Sequence, residues 1–181
     1  MTLPPKYAYL LKPGVPRMVS EALKLLGTLE RPGPANSPEI MGWKKELTAA
    51  GRAIVGFSGD NIPWCGLFVA YVAFKAGKQA PDGPLWALNW RKFGVNPDGG
   101  ASLGDVLIFT RPGGGGHVGL YVGEDATHYH VLGGNQSDAV TITRIAKTRC
   151  VAARRPLYKN KPASAAPVVV ASSGAVSNNE A

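Results

Sequence analysis

The run from Leu67 to Phe74 constrains the fold more than any other segment, because its residues are hydrophobic on every side of a helix. Such a helix has to be surrounded by other elements rather than lie on a surface. Gly77 follows the run and is a typical C-terminal cap. The sequence therefore predicts a buried central helix that begins near Cys65.

The pattern changes after residue 103, where apolar residues alternate with polar or small ones. This period of two predicts strands, and five segments show it, separated by turn residues: DVLIFT, HVGLYVG, HYHVLG, AVTITRI and CVAARR. Upstream, apolar residues at helical spacing predict one helix over 15–26 and another that begins at Pro38 after the cap residue Ser37. We expect an α+β fold with a five-stranded antiparallel meander or small barrel.

The length of 181 residues suits one domain. Residues 1–14 contain three prolines and predict an irregular N-terminal arm, and residues 15–158 carry the periodic segments. Residues 159–181 are dominated by Ala, Ser, Val and Asn without an aromatic side chain, which predicts a disordered tail that is dispensable for chemistry. A loop-rich insertion is expected over 78–103.

A net charge of +8 and a pI near 9.7 favour anionic partners, namely nucleic acid, an anionic membrane or the bacterial wall. The positive residues are scattered and form no nucleic-acid-binding motif, so we expect no nucleic-acid partner. No apolar stretch approaches membrane-spanning length, and the N-terminus lacks the pattern of a cleavable secretion signal. We expect a soluble protein without a transmembrane segment.

Cys65 is one of two cysteines and stands at the first turn of the predicted central helix. The unpaired N–H groups and positive partial charge of a helix N-terminus favour a thiolate and can stabilise an oxyanion. A structural cysteine on an apolar helix is the alternative. Cys150 stands in an apolar strand, where packing explains it.

Two further residues are candidates for catalysis. His117 opens a strand directly after RPGGGG, where the absence of side chains would let an extended substrate approach the imidazole; a flexible hairpin with an incidental histidine is the alternative. Asn135 follows one strand later in LGGNQ and could orient the base, although Gly134 and Asn135 could simply form a turn.

Four segments, in this order along the chain, resemble the CHAP and NlpC-type amidohydrolase/peptidase families of papain-like cysteine hydrolases: PWCGLFVAYV, SLGDVLIFTR, GGHVGLYVG and VLGGNQ. The resemblance covers residues 15–157. It implies a papain-like fold and cleavage of an amide in or next to the peptidoglycan stem peptide, as in phage endolysins or antibacterial effectors. Cys65 would be the nucleophile, His117 the general base and Asn135 the orienting residue. Many relatives carry an acidic residue where this chain has Gly133.

The same resemblance implies no metal and no organic cofactor. The expected partners are peptidoglycan and the anionic cell-wall surface, met by a monomer that stays in the host cytoplasm before its release, or that a virion or secretion system delivers. Trp64, Trp90 and Gly116 are candidate substrate-binding residues, although the tryptophans suit the core equally well. A papain-like acyltransferase and a non-catalytic wall-binding or virion structural module are alternatives.

Overall fold

A computed structural model describes residues 3–177. In this range the chain forms three α-helices: α1 (Arg17–Leu23), α2 (Pro38–Ala49) and α3 (Cys65–Lys75). Five strands follow: β1 (Val106–Thr110), β2 (Gly116–Glu124), β3 (His128–Gly133), β4 (Thr141–Ala146) and β5 (Cys150–Arg154). Three 3₁₀ helices complete the described part: Pro5–Leu11, Ala87–Lys92 and Lys147–Arg149. The α+β class and all five strands are confirmed.

Helix α3 is the buried central helix that the sequence predicts. Every residue from Cys65 to Ala73 is buried. The helix packs against α1 and α2 on one side and against β2 on the other. The aromatic rings of Trp43 on α2 and Phe68 on α3 lie 6.1 Å apart, which fixes this helix pair. As a result, the N-terminus of α3 is held against the first residues of β2.

The sheet is antiparallel, and its strand order is β4-β3-β2-β1-β5. The last strand therefore crosses back to pair with β1, so the sheet is not the simple meander that the sequence suggests. An ion pair holds this crossover: Arg155 donates from Nε and Nη2 to the two carboxylate oxygens of Asp105, at 3.0 and 2.7 Å. Such a bidentate pair fixes the orientation of both side chains.

Successive side chains of a strand point to opposite faces of the sheet. Val118, Leu120 and Val122 of β2 belong to the large core around α3, and Tyr121 belongs to a smaller cluster on the other face. His117 has the same strand parity as Tyr121, and its ring lies beside Phe109 with centroids 6.4 Å apart. One face of β2 thus packs against α3, and the side chain of His117 begins on the opposite face.

The N-terminal arm is not irregular. Residues Pro5–Leu11 form a 3₁₀ helix, and its Tyr7 and Leu10 are buried in the main core. The Tyr7 hydroxyl lies 2.7 Å from Nδ1 of His130 on β3. Prolines at the start of this helix preset its backbone instead of breaking it, which explains why the composition was misleading.

The tail also differs from its prediction within residues 159–177; residues 178–181 lie outside the described part. Val168 and Val170 exchange backbone hydrogen bonds of 2.8 Å with Glu124, and Ala165 and Val170 are buried. The segment thereby pairs with open positions along the end of β2. Its few valines bury little area by themselves and are held by a surface that only the folded domain provides.

Replacing Val170 with alanine should lower the free energy of unfolding by about 1 kcal/mol, because its side chain is 7% exposed and packs on Gly123. The matched control is Val169→Ala, whose side chain is 86% exposed and should change stability by less than about 0.5 kcal/mol. Urea denaturation measures both. Equal effects of the two substitutions would show that the tail is not packed in solution.

Candidate active site

The sulfur of Cys65 lies where a helix terminus meets a strand. Cys65 is the first residue of α3 and is only 2% exposed. Backbone N–H groups of Val118, Gly66 and Cys65 itself lie close enough to the sulfur to favour its negative charge and so act to lower its pKa. Because Val118 directly follows His117, the sulfur lies against the peptide group that joins these two residues. The fold thus brings together the predicted nucleophile and the backbone of the predicted base.

Two opposing effects act on the pKa of Cys65. Burial raises the pKa of the Cys65 thiol, although the three backbone N–H groups and the positive charge of Arg111 act in the opposite direction. Desolvation is the larger effect here, because the sulfur is enclosed. Burial thus acts against the thiolate that the helix N-terminus favours, and a nearby base would assist its formation.

The orientation of His117 is fixed by Gln136. Both residues are buried, and Nε2 of His117 lies 3.1 Å from Oε1 of Gln136. The amide nitrogen of Gln136 donates to the backbone oxygens of Val131 and Thr141, at 3.2 and 2.7 Å. These two carbonyls can only accept, so the Gln136 amide has one satisfactory orientation.

This orientation determines the tautomer of His117. The oxygen of Gln136 can only accept a hydrogen bond, so Nε2 of His117 carries the proton. In the neutral ring the lone pair is then on Nδ1, and this is the atom that can take a proton from a thiol. Gln136 thus holds the His117 ring as the third residue of a Cys–His–polar triad would.

The sequence predicted Asn135, the residue before Gln136, for that role. The structure assigns the hydrogen bond at Nε2 of His117 to Gln136. Asn135 is buried and has a φ of 58°, a left-handed conformation that asparagine tolerates better than most residues. This turn directs the following side chain back toward β2. The signal in the sequence was the Asn-Gln pair, whose turn geometry cannot be read from spacing.

Gly133 makes room for this arrangement. A Cβ atom at residue 133 would lie 2.7 Å from Oε1 of Gln136 and 3.1 Å from Nε2 of His117. A side chain at this position is therefore incompatible with Gln136 beside the ring. Many members of the families that this chain resembles carry an acidic residue where it has Gly133. Here Gly133 leaves space for the side chain of Gln136, three residues later, to contact the His117 ring.

The three candidate substrate-binding residues differ in their surroundings. Trp64 and Trp90 are fully buried and donate from Nε1 to Glu30 at 3.0 Å and to the Pro84 oxygen at 2.9 Å. Both indoles belong to the large core around α3, which fits the core alternative. Gly116 is partly exposed at the start of β2, next to the side chain of Leu88.

The segment over 84–92 covers the N-terminus of α3. A Cβ atom at Gly66 would lie 2.3 Å from the Pro84 oxygen and 2.6 Å from the Leu85 oxygen. The next residue, Trp86, is 56% exposed and is the accessible indole of this region. The site thus has one wall from the insertion and another from the glycine-rich hairpin between β1 and β2.

Replacing Gly66 with alanine should lower the free energy of unfolding by about 1–3 kcal/mol, because the added methyl group meets backbone atoms that cannot rotate away. Gly42 of α2 is the matched control, since a Cβ atom there meets nothing within 4 Å. Gly42→Ala should stabilise the helix by about 0.5–1 kcal/mol. Thermal or urea unfolding distinguishes the two, and a neutral Gly66→Ala substitution would contradict the close contact.

His130 belongs to a separate polar cluster. Nε2 of His130 lies 3.1 Å from Asp125, and burial lowers the pKa of His130. Burial alone would raise the pKa of Asp125, but hydrogen bonds from Arg144, the Thr127 backbone and His130 hold it well below the usual range. A neutral His130 donating to a charged Asp125 fits these directions. This cluster anchors Tyr7 and the N-terminal 3₁₀ helix to the sheet.

Within residues 3–177, no group of three or more His, Cys, Asp or Glu side chains could hold a metal ion. No helix of that range is long and apolar enough to cross a membrane. Comparison with known proteins adds no relative: no family model, curated protein or solved structure matches this chain.

Proposed function

We propose that the chain is a cysteine-dependent hydrolase that cleaves an amide bond of peptidoglycan, in or next to the stem peptide. The observation that carries this proposal is the position of the Cys65 sulfur: it lies at a helix N-terminus, against the His117–Val118 peptide group. His117 is held by Gln136 in the tautomer that a general base needs. A packing cysteine needs neither of these features.

The reaction would proceed by acyl transfer. Nδ1 of His117 takes the proton of the Cys65 thiol, and the sulfur attacks the amide carbonyl carbon. The N–H groups of Cys65 and Gly66, which lie near the sulfur, would stabilise the resulting oxyanion. Collapse breaks the C–N bond, and His117 returns the proton to the leaving amine. Water, deprotonated by His117, then hydrolyses the thioester and releases a carboxylic acid and the free thiol.

Substrate access requires part of the cover to move, because Cys65 is 2% exposed and His117 is fully buried. The hairpin residues Gly113, Gly114 and Gly115 have no side chains to displace, and a Cβ atom at any of them would meet nothing within 4 Å. Glycine adopts many backbone conformations at low energetic cost. We therefore assign the opening movement to this hairpin.

The choice of peptidoglycan rests on the resemblance of the Cys65, His117 and LGGNQ segments to CHAP and NlpC-type enzymes, and on the net charge of +8, which suits an anionic wall. The papain-like fold and the endolysin or effector role are parts of the same proposal.

Incubation of the purified chain with isolated peptidoglycan tests the proposal, with mass spectrometry of the released fragments as the readout. We expect fragments with new amine and carboxylate ends, and none from the Cys65→Ala chain. Amine-exchanged products would indicate an acyltransferase. Intact wall that sediments with the protein would indicate a binding module and would contradict hydrolysis.

A further inference from the structure

Arg111 lies at the mouth of the candidate active site. It directly follows Thr110, the last residue of β1, and begins the glycine-rich hairpin that leads to His117. Its backbone N–H donates to the Gly115 oxygen at 3.4 Å, and its oxygen accepts from the Gly114 N–H at 3.2 Å. These bonds close the hairpin and fix the position of the Arg111 backbone.

Arg111 lies close to His117 along the β1–β2 pair. Phe109 pairs with His117 in the β1–β2 register, and Arg111 is two residues further along the chain. The positive charge of Arg111 also reaches the Cys65 sulfur, where it lowers the thiol pKa against the larger effect of burial.

The guanidinium group of Arg111 is incompletely satisfied. Its Nε atom is buried and has no hydrogen-bond partner among the residues that the structure describes. Buried donors of charged groups nearly always have a partner, because leaving one unsatisfied costs free energy. A substrate group that accepts a hydrogen bond from Nε would satisfy this donor.

We propose that Arg111 binds a carboxylate of the substrate next to the amide bond that is cut. This inference rests on the proposed function and adds a substrate class: peptides with a free carboxylate beside the scissile amide. A guanidinium fork matches a carboxylate through two parallel hydrogen bonds. The side-chain-free glycines that follow Arg111 leave space for that group.

Two synthetic peptides test the proposal. Both span the amide bond identified by mass spectrometry of the wall digest; one has a free carboxylate beside that bond, and its twin has a carboxamide. Binding is measured by titration calorimetry to the Cys65→Ala chain, which leaves both peptides intact. Because this chain has no thiol at residue 65, any effect of Arg111 on binding is independent of thiolate formation.

We expect the carboxylate peptide to bind about 10- to 100-fold more tightly than its twin. Arg111→Gln in the same background should remove this preference and leave binding of the carboxamide peptide unchanged, and Arg111→Lys should retain part of it. Equal affinities for the two peptides, or a preference that survives Arg111→Gln, would overturn the assignment. Cleavage of the wall by the unaltered chain, measured separately, reports on the proposed function alone.

Discussion

Replacing Cys65 with alanine should reduce cleavage of peptidoglycan on the order of a thousandfold or more, because the attacking atom is lost. The methyl group fits the same space at the start of α3, so the variant should keep its fold, which circular dichroism can check. Initial rates of fragment release from isolated wall measure the effect.

Cys150 provides the matched control, since it is the second cysteine and is partly buried. Its thiol donates to the Ala152 oxygen on β5 at 3.4 Å, an interaction that packing explains. Cys150→Ala should therefore retain full activity. A chain that remains active without Cys65 but not without Cys150 would refute the assignment of the nucleophile.

His117→Ala should approach the inactivity of the Cys65 variant, because burial raises the pKa of the Cys65 thiol and the proposed mechanism needs a base to remove its proton. Gln136→Ala should have a smaller effect, about 10- to 100-fold, since the ring remains but loses the partner that fixes its tautomer. Rates on the same wall preparation, compared at several pH values, measure the series.

The variant Asn135→Gly distinguishes the role of Asn135 from that of Gln136. Glycine adopts the left-handed conformation of residue 135 at no steric cost, so the turn that positions Gln136 is preserved. This variant should retain more activity than Gln136→Ala. The opposite ranking would return the orienting role to Asn135, and full activity of His117→Ala would remove the base assignment altogether.

The central helix and the five strands could be predicted because each depends on a local periodic pattern. The all-round apolar run of α3 and the alternation from β1 to β5 allow few other structures. The position of β5 beside β1 could not be predicted, because it depends on the ion pair between Asp105 and Arg155, which are 50 residues apart. The packing of the tail was missed for the same reason, since Val170 is held by a surface formed elsewhere.

The candidate site shows the same division. Cys65 and His117 stood out because a helix start and a glycine run place unusual constraints on a cysteine and a histidine. Gln136 did not, because its role depends on a left-handed turn at Asn135 and on space left by Gly133. The burial of Trp64 likewise depends on which face of the chain becomes the core, which composition alone does not determine.

Trapping the acyl-enzyme tests directly whether Cys65 is the nucleophile. The unaltered chain is mixed with soluble wall fragments, quenched in acid within the first turnovers, digested with a protease and analysed by mass spectrometry. We expect a mass increase equal to the acyl half of the cleaved substrate on the peptide that contains Cys65, and none on the peptide that contains Cys150. Efficient cleavage without an adduct on Cys65 under these conditions, together with persistent cleavage by Cys65→Ala, would contradict it.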